Sequence, residues 1–186
     1  MVQRTFEDWV GDLLREACPG DGLSLDVGCG TGRSARYFNN TVVGIDIDRS
    51  VRPAVAGTAD VLPFKDGRFS FAASFQSYLF VQDVDGAFAE LNRVLEQGGT
   101  AIISINKWYY LKRERRTHDG TVHVLSHGAW IRAFERQGFE HLLVRVPPRY
   151  MGPLAPVLNW ASRHFGPYNI YKIRKVQHVG KGRSGT

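Results

Sequence analysis

An acid and three alternating glycines, Asp26-Val27-Gly28-Cys29-Gly30-Thr31-Gly32, close an apolar segment, Leu23 to Val27, and open a helix-compatible one, Arg33 to Asn39. Glycine reaches backbone angles that a Cβ forbids, and it lets a ligand touch the main chain. A glycine turn between a strand and a helix start is a site for a nucleotide-type ligand. The spacing selects among such ligands. A dinucleotide fingerprint needs Gly-x-Gly-x-x-Gly. Gly28 and Gly30 fit it, but the third glycine is Gly32, and Arg33 holds the place the fingerprint reserves. Asp26, just before the turn, repels a pyrophosphate and attracts a ligand with an ammonium and a sulfonium. The pattern points to S-adenosylmethionine rather than to a nicotinamide dinucleotide.

The turn needs elements to hold it. Thr5 to Ala17 carries Phe6, Trp9, Val10, Leu13 and Leu14 on one side of a helix, with Thr5 as its cap, and Pro19-Gly20-Asp21-Gly22 ends it. Strand and helix patterns then alternate. Leu23–Val27 reads as a strand, Arg33–Phe38 as a helix, and Thr41–Ile45 as a strand. Asp48 to Val55 reads as a short helix kinked at Pro53, Val55–Ala59 as a short strand, and Phe69–Phe75 as a full one. Val84 to Leu95 places Val84, Phe88, Leu91 and Leu95 at helical spacing, and Gly98-Gly99 stops that helix. Thr100–Ile105 is a buried strand, Ser126–Gln137 a helix, Phe139–Val146 a strand, Ala155–Phe165 a helix and Tyr168–Val176 a last strand. Such alternation builds a doubly wound parallel sheet.

The chain of 186 residues suits one domain. The expected domain runs over 1–179, with a substrate-side lid at 106–127, a Pro-rich insertion at 147–166 and a flexible tail at 180–186. No apolar run is long enough to span a bilayer, and Met1 to Trp9 lacks the apolar segment of a signal peptide. The expectation is a cytoplasmic protein with no membrane insertion. Cys18 and Cys29 make no disulfide framework and have no metal-type spacing, so no metal site is expected. The net charge is +6, and residues 107–116 read Lys-Trp-Tyr-Tyr-Leu-Lys-Arg-Glu-Arg-Arg. Such a run either holds a polyanion or is a solvated face.

Five segments, in order, resemble the class I S-adenosylmethionine-dependent methyltransferases, in particular the small-molecule type. They are Leu25-Asp-Val-Gly-Cys-Gly-Thr-Gly32, Val42-Val-Gly-Ile-Asp-Ile47, Gly57-Thr-Ala-Asp-Val-Leu-Pro-Phe64, Asp83-x6-Glu90-Leu-Asn-Arg-Val-Leu95 and Gly98-Gly-Thr-Ala-Ile-Ile103. The resemblance implies a Rossmann-like α/β fold, with a mostly parallel seven-stranded sheet and helices on both faces. It implies S-adenosyl-L-methionine as cofactor, held by Asp26, Gly28, Cys29 and Gly30 of the turn. Asp46 would accept both ribose hydroxyls, or else cap the next element. Ile47 would pack on the adenine face. Thr58 stands where many relatives carry an acid toward the adenine edge, and Ala59 would offer its amide to a ring nitrogen. Asp60, two places on, either accepts from the exocyclic amine or faces water. Phe75, beside Ser74 and Gln76, would lie next to the methionine part. Two departures stand out: Ser70 where the family has an acid, and Phe80 where a histidine is common.

Methyl transfer from a sulfonium is an in-line displacement, and a base is needed only when the acceptor must lose a proton. The acceptor pocket is expected from Trp9, Gln76, Tyr78, Trp108 and Tyr109, with His123 as the candidate base. The bland alternative is a lid that packs its own aromatics. Three functions remain open on the sequence: methylation of a small molecule, methylation of RNA, and a non-catalytic partner that keeps the cofactor fold.

Overall fold

The computed structural model describes residues 6–106, 123, 125–143 and 168–176. In chain order the elements are α1 (Phe6–Ala17), β1 (Leu23–Val27), β2 (Thr41–Asp46), β3 (Val55–Ala56), β4 (Phe69–Phe75), α2 (Val84–Val94), β5 (Leu95–Asn106), α3 (His127–Arg136), β6 (Phe139–Leu143) and β7 (Tyr168–Lys175). The strands form one seven-stranded sheet in the order β3-β2-β1-β4-β5-β7-β6. The pairs among β1 to β5 are parallel, and β7 runs antiparallel between β5 and β6. Chain order reverses between β1 and β4, so the C-terminal ends of those strands frame the crevice where an open α/β sheet takes its ligand.

Each face of the sheet has its own core. Alternate residues of a strand point to opposite faces. Phe71 and Ala73 of β4, with Ile102 and Ile170, pack under Val10, Leu13 and Leu14 of α1. Ala72, Ile103 and Tyr171 pack on the other face under Phe88 and Leu91 of α2 and Trp130 and Phe134 of α3. Asn39 fastens α1 to the sheet, its Nδ2 donating to the carbonyls of Arg15 and Cys18 at 2.7 Å each.

The sequence expectation of helices at Arg33–Phe38 and Asp48–Val55 is corrected to two short 3-10 turns, Arg33–Tyr37 and Arg49–Val51. Pro53 has no N–H and disfavours a helical residue before it. Arg52 accordingly leaves the turn at φ 55°. β3 is two residues rather than five. α2 ends at Val94, before the glycine pair. Those glycines instead let β5 loop out of register: Leu95 pairs with Phe69, but Thr100 pairs with Phe71. Gly98 takes φ 77° there. The proposed cap Thr5, the helix at 155–165, the strand end at 144–146, the insertion and the tail lie outside the described residues. Among the described residues no helix is long and apolar enough to cross a membrane.

Candidate functional site

The glycine turn is built by backbone angles that only glycine adopts readily. Gly28, Gly30 and Gly32 have φ of 73°, 50° and 73°. The N–H groups of Gly28 and Cys29 donate to the Ile45 carbonyl at 2.8 and 3.1 Å, which binds the turn to the end of β2. Gly30 N–H then donates to Asp46 Oδ2 at 2.7 Å, and Asp48 N–H to Asp46 Oδ1 at 2.9 Å. Each carboxylate oxygen so keeps a lone pair for a hydroxyl donor. A Cβ at Gly30 would meet nothing within 4 Å, so the main chain is open to a ligand at that point.

Gly28 is also required by the protein's own packing. A Cβ there would lie 2.3 Å from Ser77 Cβ. The Ser77 hydroxyl donates to the Val27 carbonyl at 2.8 Å and also bonds the Ser74 hydroxyl. Ser77 therefore bolts the segment after β4 to the base of the turn. The neighbouring Gln76 has φ 65°, and its N–H donates to the Ser104 carbonyl at 2.9 Å. A non-glycine residue in that region is a strained feature of the kind that clusters at functional sites.

Asp26 lies beneath the turn and is 2% exposed. The Ser34 hydroxyl donates to its Oδ2. Burial above all lifts its carboxyl to about 6; the Ser34 bond opposes the rise and the Asp46 charge adds to it. Asp26 therefore presents the turn with its field rather than with an open side chain. Burial, with Asp26 and Asp46 nearby, also pushes the Cys29 thiol up to about 11, so it stays protonated. A small cavity of about 140 Å³ under the turn is lined by Asp26, Cys29, Gly30, Ala35, Gly44 and Ala54.

The second wall is the strap after β3. Asp60 Oδ1 is buried and has no hydrogen-bond partner, while its Oδ2 accepts from Gln82 N–H at 3.4 Å. Thr58 pairs with Val61 across the same turn. α2 holds the strap from below. Arg93 donates to the carbonyls of Leu62 and Phe64 at 2.9 and 2.7 Å, and Glu90 Oε2 accepts from Leu62 N–H at 2.7 Å. The bond from Arg93 keeps the Glu90 carboxyl below its ordinary range. Ile47, 73% exposed at the end of β2, offers an uncovered apolar surface to a flat ring. An adenosyl group fits this set: acceptors at Asp46 for hydroxyls, the uncovered apolar surface of Ile47 for the ring, and bare main chain at Gly30.

The acceptor side agrees less with the sequence. Tyr78, expected on the pocket wall, is corrected to a core position: it is 1% exposed and stacks on Phe88 at 4.7 Å. Its ring closes the core against Phe88, and its hydroxyl is buried without a hydrogen-bond partner among the described residues. Gln76 stands at the strand edge, and Phe75 packs against the α1-side core. His123 Nε2 sits 2.7 Å from the Val81 carbonyl. His127 Nδ1 meets the Tyr171 hydroxyl at 2.9 Å. The Trp9 side chain, Trp108 and Tyr109 lie outside the described residues. No cluster of metal-ligating side chains occurs among the described residues. Ser70, where an acid was expected, sits under Gly22 and reaches the carbonyls of Asp21 and Leu23 at 3.4 Å. Ser77, Ser34 and the Glu90–Arg93 pair escaped the sequence reading. Only the spacing of Glu90 and Arg93, one turn apart on α2, hinted at a joint role.

Residues 25–103 match the family described as "Methyltransferase domain". A protein of Methanocaldococcus jannaschii named uncharacterized protein MJ1252 is 36% identical over 109 residues, 54% of this chain and 43% of its own length. A second from that organism, MJ1123, is 30% identical over 137 residues, 65% of this chain and 66% of its own length. The chain thus spans less than half of the first relative. Among solved structures, a geranyl diphosphate methyltransferase in complex with S-adenosylmethionine superposes with a TM-score of 0.69 at 16% identity, covering 89% of this chain and 84% of the other. That likeness concerns the fold.

Proposed function

We propose that this chain, whose residues 25–103 match a methyltransferase domain, is a class I S-adenosylmethionine-dependent methyltransferase that transfers a methyl group to a small-molecule acceptor by in-line displacement. The observation that carries the reading is the Asp46 carboxylate, bonded to the glycine turn at Gly30 and still holding lone pairs toward the crevice. S-adenosylmethionine supplies an electrophilic methyl on a sulfonium and departs as a neutral thioether, so no acid is required for the leaving group. The chain's part is to bind and align. Asp46 takes the ribose hydroxyls, Ile47 covers an adenine face, and Thr58, Ala59 and Asp60 meet its edge. Gly30 allows close approach of the main chain, and Phe75 and Gln76 border the reacting end. Alignment alone is worth up to about 7–11 kcal/mol of a barrier.

A small acceptor is proposed by analogy with the geranyl diphosphate methyltransferase of the same fold. Calorimetry with S-adenosylmethionine and its demethylated product tests the cofactor step. Binding that Asp46→Ala weakens by at least about tenfold is the expected result. Absence of heat and of thermal shift at about millimolar ligand, against the micromolar range usual for such sites, overturns it. RNA methylation is a second reading, favoured by the run Lys112-Arg113-Glu114-Arg115-Arg116. It requires RNA affinity that falls steeply with salt; undetectable binding, or binding indifferent to salt, removes it.

A further inference from the structure

His123 is held at two points. Its N–H donates to the Leu79 carbonyl at 2.8 Å, and its ring Nε2 lies 2.7 Å from the Val81 carbonyl. A carbonyl only accepts, so Nε2 carries the ring hydrogen and Nδ1 of the neutral imidazole is the basic nitrogen. A fixed partner on one nitrogen is how a protein sets the tautomer and aims the other. The place matters as much. The loop that His123 clasps starts at Ser77, against Gly28, and ends at α2. α3 runs back from the ligand edge of the sheet, because β6 after it is parallel to β5, so the N-terminal end of α3, four residues after His123, lies at that edge. His127, at that end, already has its Nδ1 engaged with the buried Tyr171.

We propose that His123 is the general base of the methyl transfer and that its Nδ1 takes the acceptor's proton; this rests on the methyltransferase reading above. The acceptor class is then one that carries a proton on the atom to be methylated: a hydroxyl, an amine or an acidic C–H. The acceptor atom forms its bond to the methyl carbon as the S–C bond breaks, and the S–C electron pair stays on sulfur. The acceptor's proton passes to Nδ1, and the imidazolium releases it to water. The sulfonium's positive charge leaves as that proton. The hydrogen on Nε2 stays on the Val81 carbonyl throughout, so the ring does not rotate away between the two states.

The test needs no acceptor. A base bonded to an acceptor atom in attack position has its basic nitrogen within about 6 Å of the methyl carbon. Wild-type protein saturated with S-adenosylmethionine carrying a 13C-labelled methyl is the sample. The expected result is an NOE from the labelled methyl to His123 Hε1, with long-range 15N correlations placing the ring hydrogen on Nε2. NOEs from the methyl or ribose to the Gly28–Gly30 amides without any to His123 overturn the base and leave the cofactor site standing. A hydrogen on Nδ1 in the neutral ring overturns it as well. A latch that merely ties two loops gives the tautomer without the methyl contact, so the NOE decides between the two roles. No NOE to the turn at saturation overturns both readings together.

Discussion

Replacing Asp26 by asparagine removes a charge that the fold holds at a cost. The carboxyl is 2% exposed, and its value rises from 3.8 to about 6, mainly through burial. At 1.36 kcal/mol for each pH unit, that rise is about 3 kcal/mol against the ionised folded state. The folded value lies above the ordinary one, so the sign is set. The protonated carboxyl contributes its full stability below pH 3.8, the contribution is lost as pH rises to about 6, and above that the cost is constant. Asparagine keeps an acceptor for Ser34 and cannot ionise. The stability of Asp26→Asn minus that of wild type is therefore close to zero below about pH 3 and reaches about 3 kcal/mol near pH 7.5. For a domain of this size that corresponds to about 6–12 °C in Tm. Scanning calorimetry of both proteins without ligand, across that range, measures the difference and cancels the other titrating groups. A difference that does not change with pH, or wild type the more stable at neutral pH, would refute the burial argument.

Asp46→Ala loses the bonds from Gly30 and the proposed ribose contacts, and S-adenosylmethionine affinity should fall by at least ~1.5 kcal/mol in calorimetry; unchanged affinity means the ribose is held elsewhere. Gly28→Ala forces a side chain to φ 73° and to 2.3 Å from Ser77, so urea unfolding should show a loss of about 2–4 kcal/mol. In a Ser77→Gly background, which loses the bond to Val27 on its own account, the same Gly28→Ala change should cost only about 1–2 kcal/mol of backbone angle; no cost in that background would show that the angle is not strained. Arg93→Met removes the donors to Leu62 and Phe64 and should lower stability by about 1–3 kcal/mol and weaken adenosine binding in the same variant. A lowered Tm with adenosine affinity intact would separate the clamp from the adenine wall.

The strand positions were legible because buried parallel strands are short apolar runs between turn residues, as Leu23–Val27 and Phe69–Phe75 are. α2 and α3 were legible from their spacing of apolar residues, and Ser126 caps α3 as its type suggests. The two connections flanking β2 were misread as helices, because composition there favours helix while chain length and Pro53 allow only a turn. Tyr78 was misread because a tyrosine near a site looks the same in sequence whether it faces ligand or core. Ser77 carries no signal at all: a serine bolt is recognised only by the carbonyl and the glycine it touches.

By itself, the sequence determined the order of strands and helices, the glycine turn, and the two acids at the ends of β1 and β2. These depend on local periodicity and on backbone angles, which a few neighbouring residues dictate. Only the tertiary structure decided what those residues face: Asp26 beneath the turn, Asp46 across it, Asp60 with an unpartnered oxygen, His123 with its Nε2 engaged. Hydrogen-bond partners and burial come from segments dozens of residues apart, and nothing in a linear spacing records which of them meet.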